Sequence, residues 1–299
     1  MKPAFRLLGI VCLTFVGLAA AAGQPYPERD FMTLLAARLR PAETAVETDA
    51  AASIDELCGL GSETVARRIV AEYGAVFVSR VDHLPSGCAF RDAGQARSFR
   101  ERVRTAKAAI EGIEIELQQP AMNALLQAAA VARQHRLRIA PLDGAIAGAR
   151  TFEDTVKIWN KRFFPALEYW SRKGKITDEE AALAVNATPV RSLAALIEWE
   201  SRGLLFGTAR SSSIFSSAAP PGASQHLLLL AFDVRPPISS KLVTILAEHG
   251  WHRTVRGDSV HFTYLGADEA ELPALGLERV RYRGEFYWVP KLPAPPTAR

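Results

Sequence analysis

Cysteine is scarce in this chain: 299 residues contain three, Cys12, Cys58 and Cys88. None stands in Cys-x-x-Cys spacing, which argues against a thiolate metal site. The Gly-x-Ser-x-Gly elbow of serine hydrolases is absent, and no internal repeat is visible. Charge of one sign is also limited, with a net charge of +4 and a pI near 9.0. The densest basic group, Arg97, Arg100, Arg102, Arg104 and Lys107, is interrupted by Glu101 and has only Phe99 interleaved for base stacking. It therefore reads as a solvated face, and no nucleic-acid partner is expected. What remains, 48% hydrophobic and 23% charged, is the composition of an ordinary globular chain with enough apolar residues for a real core.

The longest apolar run lies at the start. Lys2 and Arg6 precede Leu7 to Leu18, followed by Ala19-Ala20-Ala21-Ala22-Gly23. The run is shorter than the ~20 residues of a spanning helix, and its small-residue end suits a signal peptidase. The pattern predicts a signal peptide over 1–22, an exported product in the periplasm or outside the cell, and no stable membrane anchor after cleavage. Cys12 leaves with the signal, so the mature chain keeps an even pair. Cys58 and Cys88 are expected to form a disulfide closing a loop of about 30 residues, a closure for which chain entropy gives roughly 3 to 4 kcal/mol.

Periodicity and capping signals predict a helix-rich N-terminal region over 23–112 with no catalytic constellation. It holds helices over 30–39, 62–73 and 95–113, a strand over 75–79, and a loop or frayed helix over 42–53. A second region, 113–290, begins with strand, helix (121–134) and short strand (137–141). Helices then follow over 152–173, broken at Pro165, from Thr177 by its capping signal, and over 189–201. Trp159, Trp170 and Trp199 in this stretch read as core. A Ser/Ala/Pro-rich loop over 211–225 leads to a helix over 237–250 and two hairpins, 251–256 with 260–265 and 277–282 with 285–289. The fold class is α+β, helices packed on a small antiparallel sheet, with a disordered tail over 291–299.

Two short motifs carry the chemistry. Pro221-Gly222-Ala223-Ser224-Gln225-His226 is followed after six residues by Asp233, and Asp258-Ser259-Val260-His261 comes later. Together they supply two imidazoles and a carboxylate with a second acid nearby, a set that leaves Zn²⁺ a fourth position for water. Uninterrupted strand from His226 to Asp233 would separate them by roughly 23 Å, too far for one ion. His226 is therefore expected in the loop, with the chain folding back before Asp233 enters the sheet. His261 falls in an alternating strand, Val260 to Tyr264, and Asp258 in the turn before it.

Ser-x-His, six residues, Asp, then a carboxylate three residues before a second His on a strand resembles the zinc D-alanyl-D-alanine carboxypeptidases and dipeptidases that act on bacterial cell-wall peptides. The resemblance extends over about 120–290. It implies Zn²⁺ held by His226, Asp233 and His261, and Asp258 as general base. Ala149-Arg150-Thr151-Phe152 resembles the family's Tyr-Arg-Ser-Tyr segment, which makes Arg150 the group that polarises the scissile carbonyl and stabilises the oxyanion. Ser224 would hold the substrate's terminal carboxylate. Arg210, also ahead of the zinc loop, is the alternative cation, and His252 the reserve base.

The chain departs from the family at three points. Asp258 stands where Glu is usual and is one methylene shorter, so proton transfer needs a closer approach to water. Leucines fill the interval in which a Gly is usual, and Ala149 replaces a Tyr. The expected function is D,D-carboxypeptidase action on peptidoglycan stem peptides. The alternatives are an endopeptidase cutting cross-links, or a non-catalytic wall-binding protein on the same fold.

Overall fold

The computed structural model describes residues 30–39 and 53–294; the expected signal peptide, most of the 42–53 loop and residues 295–299 lie outside the described residues. The chain is α+β: among the described residues, sixteen regular helices and strands, with 3-10 turns between them, form three small antiparallel sheets with helices packed around them. Among the described residues no helix is long and apolar enough to cross a membrane.

Helices α1 (Phe31–Leu39), α2 (Ile54–Cys58) and α3 (Glu63–Tyr73) come first. Ser53 and Glu56 form a reciprocal capping box on α2, and the Ser62 hydroxyl accepts from Val65 N at the start of α3. The sequence predicts a strand over 75–79, but Gly74–Val78 is a 3-10 helix with all five residues buried. A short run buried on every side has no alternation to separate strand from helix. The Cys58–Cys88 disulfide ties the end of α2 to the loop ahead of α4 (Ala93–Arg102).

The helix expected over 95–113 ends at Arg102, because Val103 turns extended and a hairpin follows. Its strands, β1 (Thr105–Ile110) and β2 (Ile113–Gln118), pair antiparallel around Glu111 and Gly112. Both turn residues have positive φ, 49° and 81°. That geometry matches the twist of a two-residue hairpin. Helix α5 (Gln119–Gln134) runs on directly. The short strand expected over 137–141 is reduced to a single bridge, Pro141 to Val234, flanked by hydrogen bonds from Arg235 N to Ala140 O and from Leu142 N to Asp233 O. Proline has no N–H to extend such a ladder.

Helix α6 (Phe152–Arg172) is one 21-residue helix that passes through Pro165 unbroken, started by a Thr151–Asp154 capping box. Helices α7 (Asp178–Asn186) and α8 (Pro189–Ser201) begin at Thr177 and Thr188. The site sheet follows, with β3 (Ala231–Asp233), α9 (Ser240–Ala247), β4 (Trp251–His252) and β5 (His261–Tyr264). Its strand order is β3-β5-β4, so β5 is central. Helix α9 starts three residues later than expected, at the Ser239 cap. The last hairpin, β6 (Leu277–Tyr282) and β7 (Glu285–Pro290), turns at Arg283 and Gly284.

One contiguous apolar core runs from Phe31 and Leu35 through Val70, Leu117 and Leu125 to Phe232, Trp251 and Phe262. Trp159 and Trp199 are buried in it. The N-terminal helices also brace the region of the site. Tyr73 at the end of α3 donates its hydroxyl to Phe215 O at 2.6 Å. Glu200 on α8 accepts from Ile214 N at 2.8 Å and from the Ser213 hydroxyl at 2.5 Å. The loop ahead of His226 is thus held from both sides.

Candidate metal centre and its cleft

The route from His226 to Asp233 is a tight reversal. Gln225–Leu228 form a 3-10 turn entered from Ser224, and Leu229 then adopts a left-handed conformation at φ 56° before β3 begins. An L-residue there costs roughly 1–2 kcal/mol. Leu229 is 1% exposed, its carbonyl accepting from Gln118 N at 3.0 Å. Burial of its side chain offsets the strain. The turn is seated by Gly222, where a Cβ would come within 2.0 Å of Phe90 O.

The sheet register then does the rest. Asp233 on β3 stands directly opposite His261 on β5. Directly opposed residues share a face with their Cβ atoms about 5 Å apart. Asp233 Oδ1 lies 3.0 Å from His261 Nδ1 and 3.4 Å from His226 Nε2, and candidate ligand atoms of all three residues lie within 4.8 Å of one another.

Both rings are held by their far nitrogens. His226 Nδ1 is 2.6 Å from Gly148 O, and a carbonyl can only accept, so Nδ1 carries the proton. His226 Nε2 then presents a lone pair; it is buried and has no hydrogen-bond partner among the described residues. His261 Nε2 lies 2.8 Å from Gln225 Oε1. The amide's direction is set because Gln225 Nε2 donates to Tyr73 O at 2.8 Å, while Oε1 also accepts from the Thr263 hydroxyl at 2.5 Å. His261 Nε2 is therefore the donor and Nδ1 faces Asp233. Two imidazole lone pairs and a carboxylate oxygen converge on one point, with a buried acceptor left unmatched. This donor set fits a divalent N/O-binding ion, and the partners of its far nitrogens are of the kind that orient ligating histidines.

Electrostatics point the same way. Burial, helped by the Arg150 charge, pushes His226 down to about 4, so the ring is neutral at pH 7. Burial opposes ionisation of Asp233, but His226, His261 and Arg150 outweigh it and hold the carboxyl well below its usual range. The Arg150 guanidinium grips Asp233 Oδ2, and its Nε donates to Ile146 O at 2.9 Å. Burial and the nearby Asp233 charge push Asp258 up to about 6, with His261 and the Val260 amide pulling back. Its turn depends on Gly257, at φ 93°, where a Cβ would meet Ser216 Cβ at 2.8 Å.

These residues face a cleft of about 430 Å³. Arg150, Ser224, His226, Asp233, Asp258 and His261 all line it, as do Tyr73 and Gln225. Arg210 lies apart from that lining. It stacks 4.2 Å over the Tyr169 ring and donates to Pro165 O at 3.3 Å. His252 is also elsewhere, buried with Nε2 2.8 Å from Ala267 O. Three supports escape sequence reasoning: Gly148, Gln225 and Tyr73. Only Gln225 carried a signal, its place beside His226 in the motif.

No protein-family model matches the chain, and a comparison with curated proteins gives no match. Among solved structures, the chain is similar to a variant of VanY, a vancomycin-resistance D,D-pentapeptidase from a VanB-type cassette in complex with Zn(II). The identity is 18% and the TM-score 0.33, with 57% of this chain and 84% of that chain covered.

Proposed function

We propose that this protein is an exported zinc-dependent peptidase of the cell wall that removes a terminal D-alanine from stem peptides. The observation that carries the reading is the convergence of the buried, partnerless His226 Nε2, His261 Nδ1 and Asp233 Oδ1 at the floor of a cleft that also holds Asp258. The resemblance of the motifs to D-alanyl-D-alanine carboxypeptidases supplies the substrate, and the Cys58–Cys88 disulfide fits an oxidising compartment.

His226, Asp233 and His261 would hold Zn²⁺, which when bound supplies Lewis acidity toward a carbonyl oxygen and acidifies water. Asp258 takes the proton that water loses as its oxygen adds to the scissile carbon. When the C–N bond breaks, Asp258 returns that proton to the leaving amine, so the carboxylate is regenerated. Arg150, oriented by Asp233 and Ile146 O, presents its remaining N–H groups toward negative charge developing on the carbonyl oxygen. Ser224, at the rim of the turn that delivers His226, would donate to the substrate's carboxylate.

Elemental analysis of the purified protein tests the reading, with His226→Ala and His261→Ala alongside. The expected result is about one zinc per chain, lost in both variants, with release of D-alanine from D-Ala-D-Ala-ended muropeptides. Absence of zinc after anaerobic, zinc-supplemented purification would sink it in favour of a wall-binding protein. Cross-linked muropeptides cut without free D-alanine would make it an endopeptidase.

A further inference from the structure

One wall of the cleft belongs to α6, through Ile158, Lys161 and Arg162. Spacings of three and four place these residues on one face of the helix. Among the described residues neither Lys161 nor Arg162 makes a hydrogen bond or an ion pair, and Arg162 Nε is buried without a partner. The third cation of the cleft, Arg150, is committed to Asp233. The carboxylates lining the cleft are Asp143, Asp233 and Asp258, and none of them pairs with the two α6 cations. Nearby, Ser216 and Ser217 line the same cleft with their hydroxyl protons committed to Ser213 O and Ile214 O. They offer no free donor of their own, so the cations are the available anion-binding groups on this wall.

A guanidinium N–H taken from water and given no acceptor is costly, and it is retained where a ligand supplies the acceptor. A planar carboxylate is the matching group: it accepts from the guanidinium fork, with a second cation one residue away to neutralise it. We infer that α6 forms a carboxylate-recognition wall, in which Lys161 and Arg162 bind a carboxylate of the peptide substrate while its scissile bond lies over the floor. The inference rests on the peptidase reading and sharpens it. The carboxylate is either the substrate peptide's C-terminus, shared with Ser224, which makes the enzyme an exopeptidase, or a side-chain carboxylate along the stem peptide.

The test uses the intact protein and three probes: a peptide ending in D-Ala-D-Ala with both carboxylates free, the same peptide amidated at its C-terminus, and the same peptide amidated at its acidic side chain. Binding to His261→Ala protein is measured by calorimetry, so that it is read without turnover, and KM and kcat are measured on the zinc-loaded enzyme. Lys161→Gln with Arg162→Gln is expected to weaken binding and raise KM at least tenfold with kcat within twofold, and Arg162→Lys to recover part of the loss. The amidation that abolishes the difference between wild type and variant identifies the carboxylate. Equal affinity of wild type and double variant for the free peptide, or an equal loss on all three probes, overturns the wall. Lys161→Gln alone, at an exposed position, carries the same comparison if the double variant fails to fold. If the wild type never turns over but still binds in a carboxylate-dependent way, the peptidase reading fails while the wall stands.

Discussion

The floor and the wall of the cleft are built on opposite terms. On the floor, Gln225, Thr254, Thr263, Tyr73 O and Gly148 O fix both imidazoles, and Arg150 fixes the carboxylate between them. Among the described residues, the buried His226 Nε2 acceptor has no hydrogen-bond partner there. On the wall, Lys161 and Arg162 are held by no partner at all among the described residues, and what is left over is positive charge. The floor gathers acceptors that are tied down by their neighbours, and the wall presents cations that are not. On the proposed reading, preorganisation is concentrated where a metal and reacting atoms would have to be placed within tenths of an ångström. A wall that recognised substrate, as inferred for α6, would tolerate a looser arrangement.

The harshest way to break the floor is Asp233→Ala. It removes the atom on which both rings converge and leaves Arg150, only 15% exposed, without its carboxylate. Metal binding should be lost, activity should fall to background, and unfolding in urea should show a loss of about 3 kcal/mol, the usual cost of breaking a buried pair from one side. Retained metal stoichiometry in this variant would mean that the ion sits elsewhere.

Asp258→Asn should leave metal content intact and lower kcat by about 10²- to 10⁴-fold, the span of a general base. KM should hardly move, because a general base would contact the transferred proton and not the bulk of the substrate. A variant with kcat within threefold of wild type would reassign Asp258 to its turn.

A milder cut goes through Gln225, which touches no reacting atom. Gln225→Leu strips the acceptor from His261 Nε2 and should weaken zinc binding by about 10- to 100-fold in a chelator competition, as expected for a supporting partner of a ligating histidine. Gln225→Glu restores an acceptor and should recover most of the affinity. The nitrogen shifts of His261 should report a mixed tautomer in the leucine variant only. Unchanged affinity in Gln225→Leu would show that the ring is held by packing alone.

How much of this was legible in the sequence follows from how local each cause is. The capping signals at Ser62 and Thr177 and the hairpin turning at Gly284 read correctly because their determinants lie within a few residues. The fold-back between His226 and Asp233 was legible from distance alone, although its means, a 3-10 turn ending in a left-handed leucine, was not. The strand expected at Ala75–Ser79 and the helix expected from Gln95 to Ile113 differ from the structure where burial by distant chain and pairing across the Glu111–Gly112 turn override a short local pattern. Gln225 and the α6 cations escaped for the same reason. The amide's direction is decided by Tyr73 O, 152 residues away, and nothing near Lys161 tells which face of its helix meets the cleft.

The smallest expected effect is a cancellation, and it separates two halves of the floor in the metal-free protein. His226 is depressed from 6.5 to about 4, so its contribution is fully present above pH 6.5 and is lost as pH falls toward 4. Asp258 is raised from 3.8 to about 6, so its contribution is fully present below pH 3.8 and is lost as pH rises through 6. Across pH 4 to 6.5 the two run in opposite directions, each worth on the order of 3 kcal/mol at 1.36 kcal/mol per pKa unit, so wild-type stability should be nearly level there. Asp258→Asn removes one side of the balance. Its stability in denaturant titrations should fall by roughly 3 kcal/mol between pH 6.5 and pH 4, whereas His226→Gln should gain as the pH is lowered through the same window. An Asp258→Asn profile as level as the wild type would show that the two groups do not titrate against each other, and that the acid's raised pKa is not set by the buried floor.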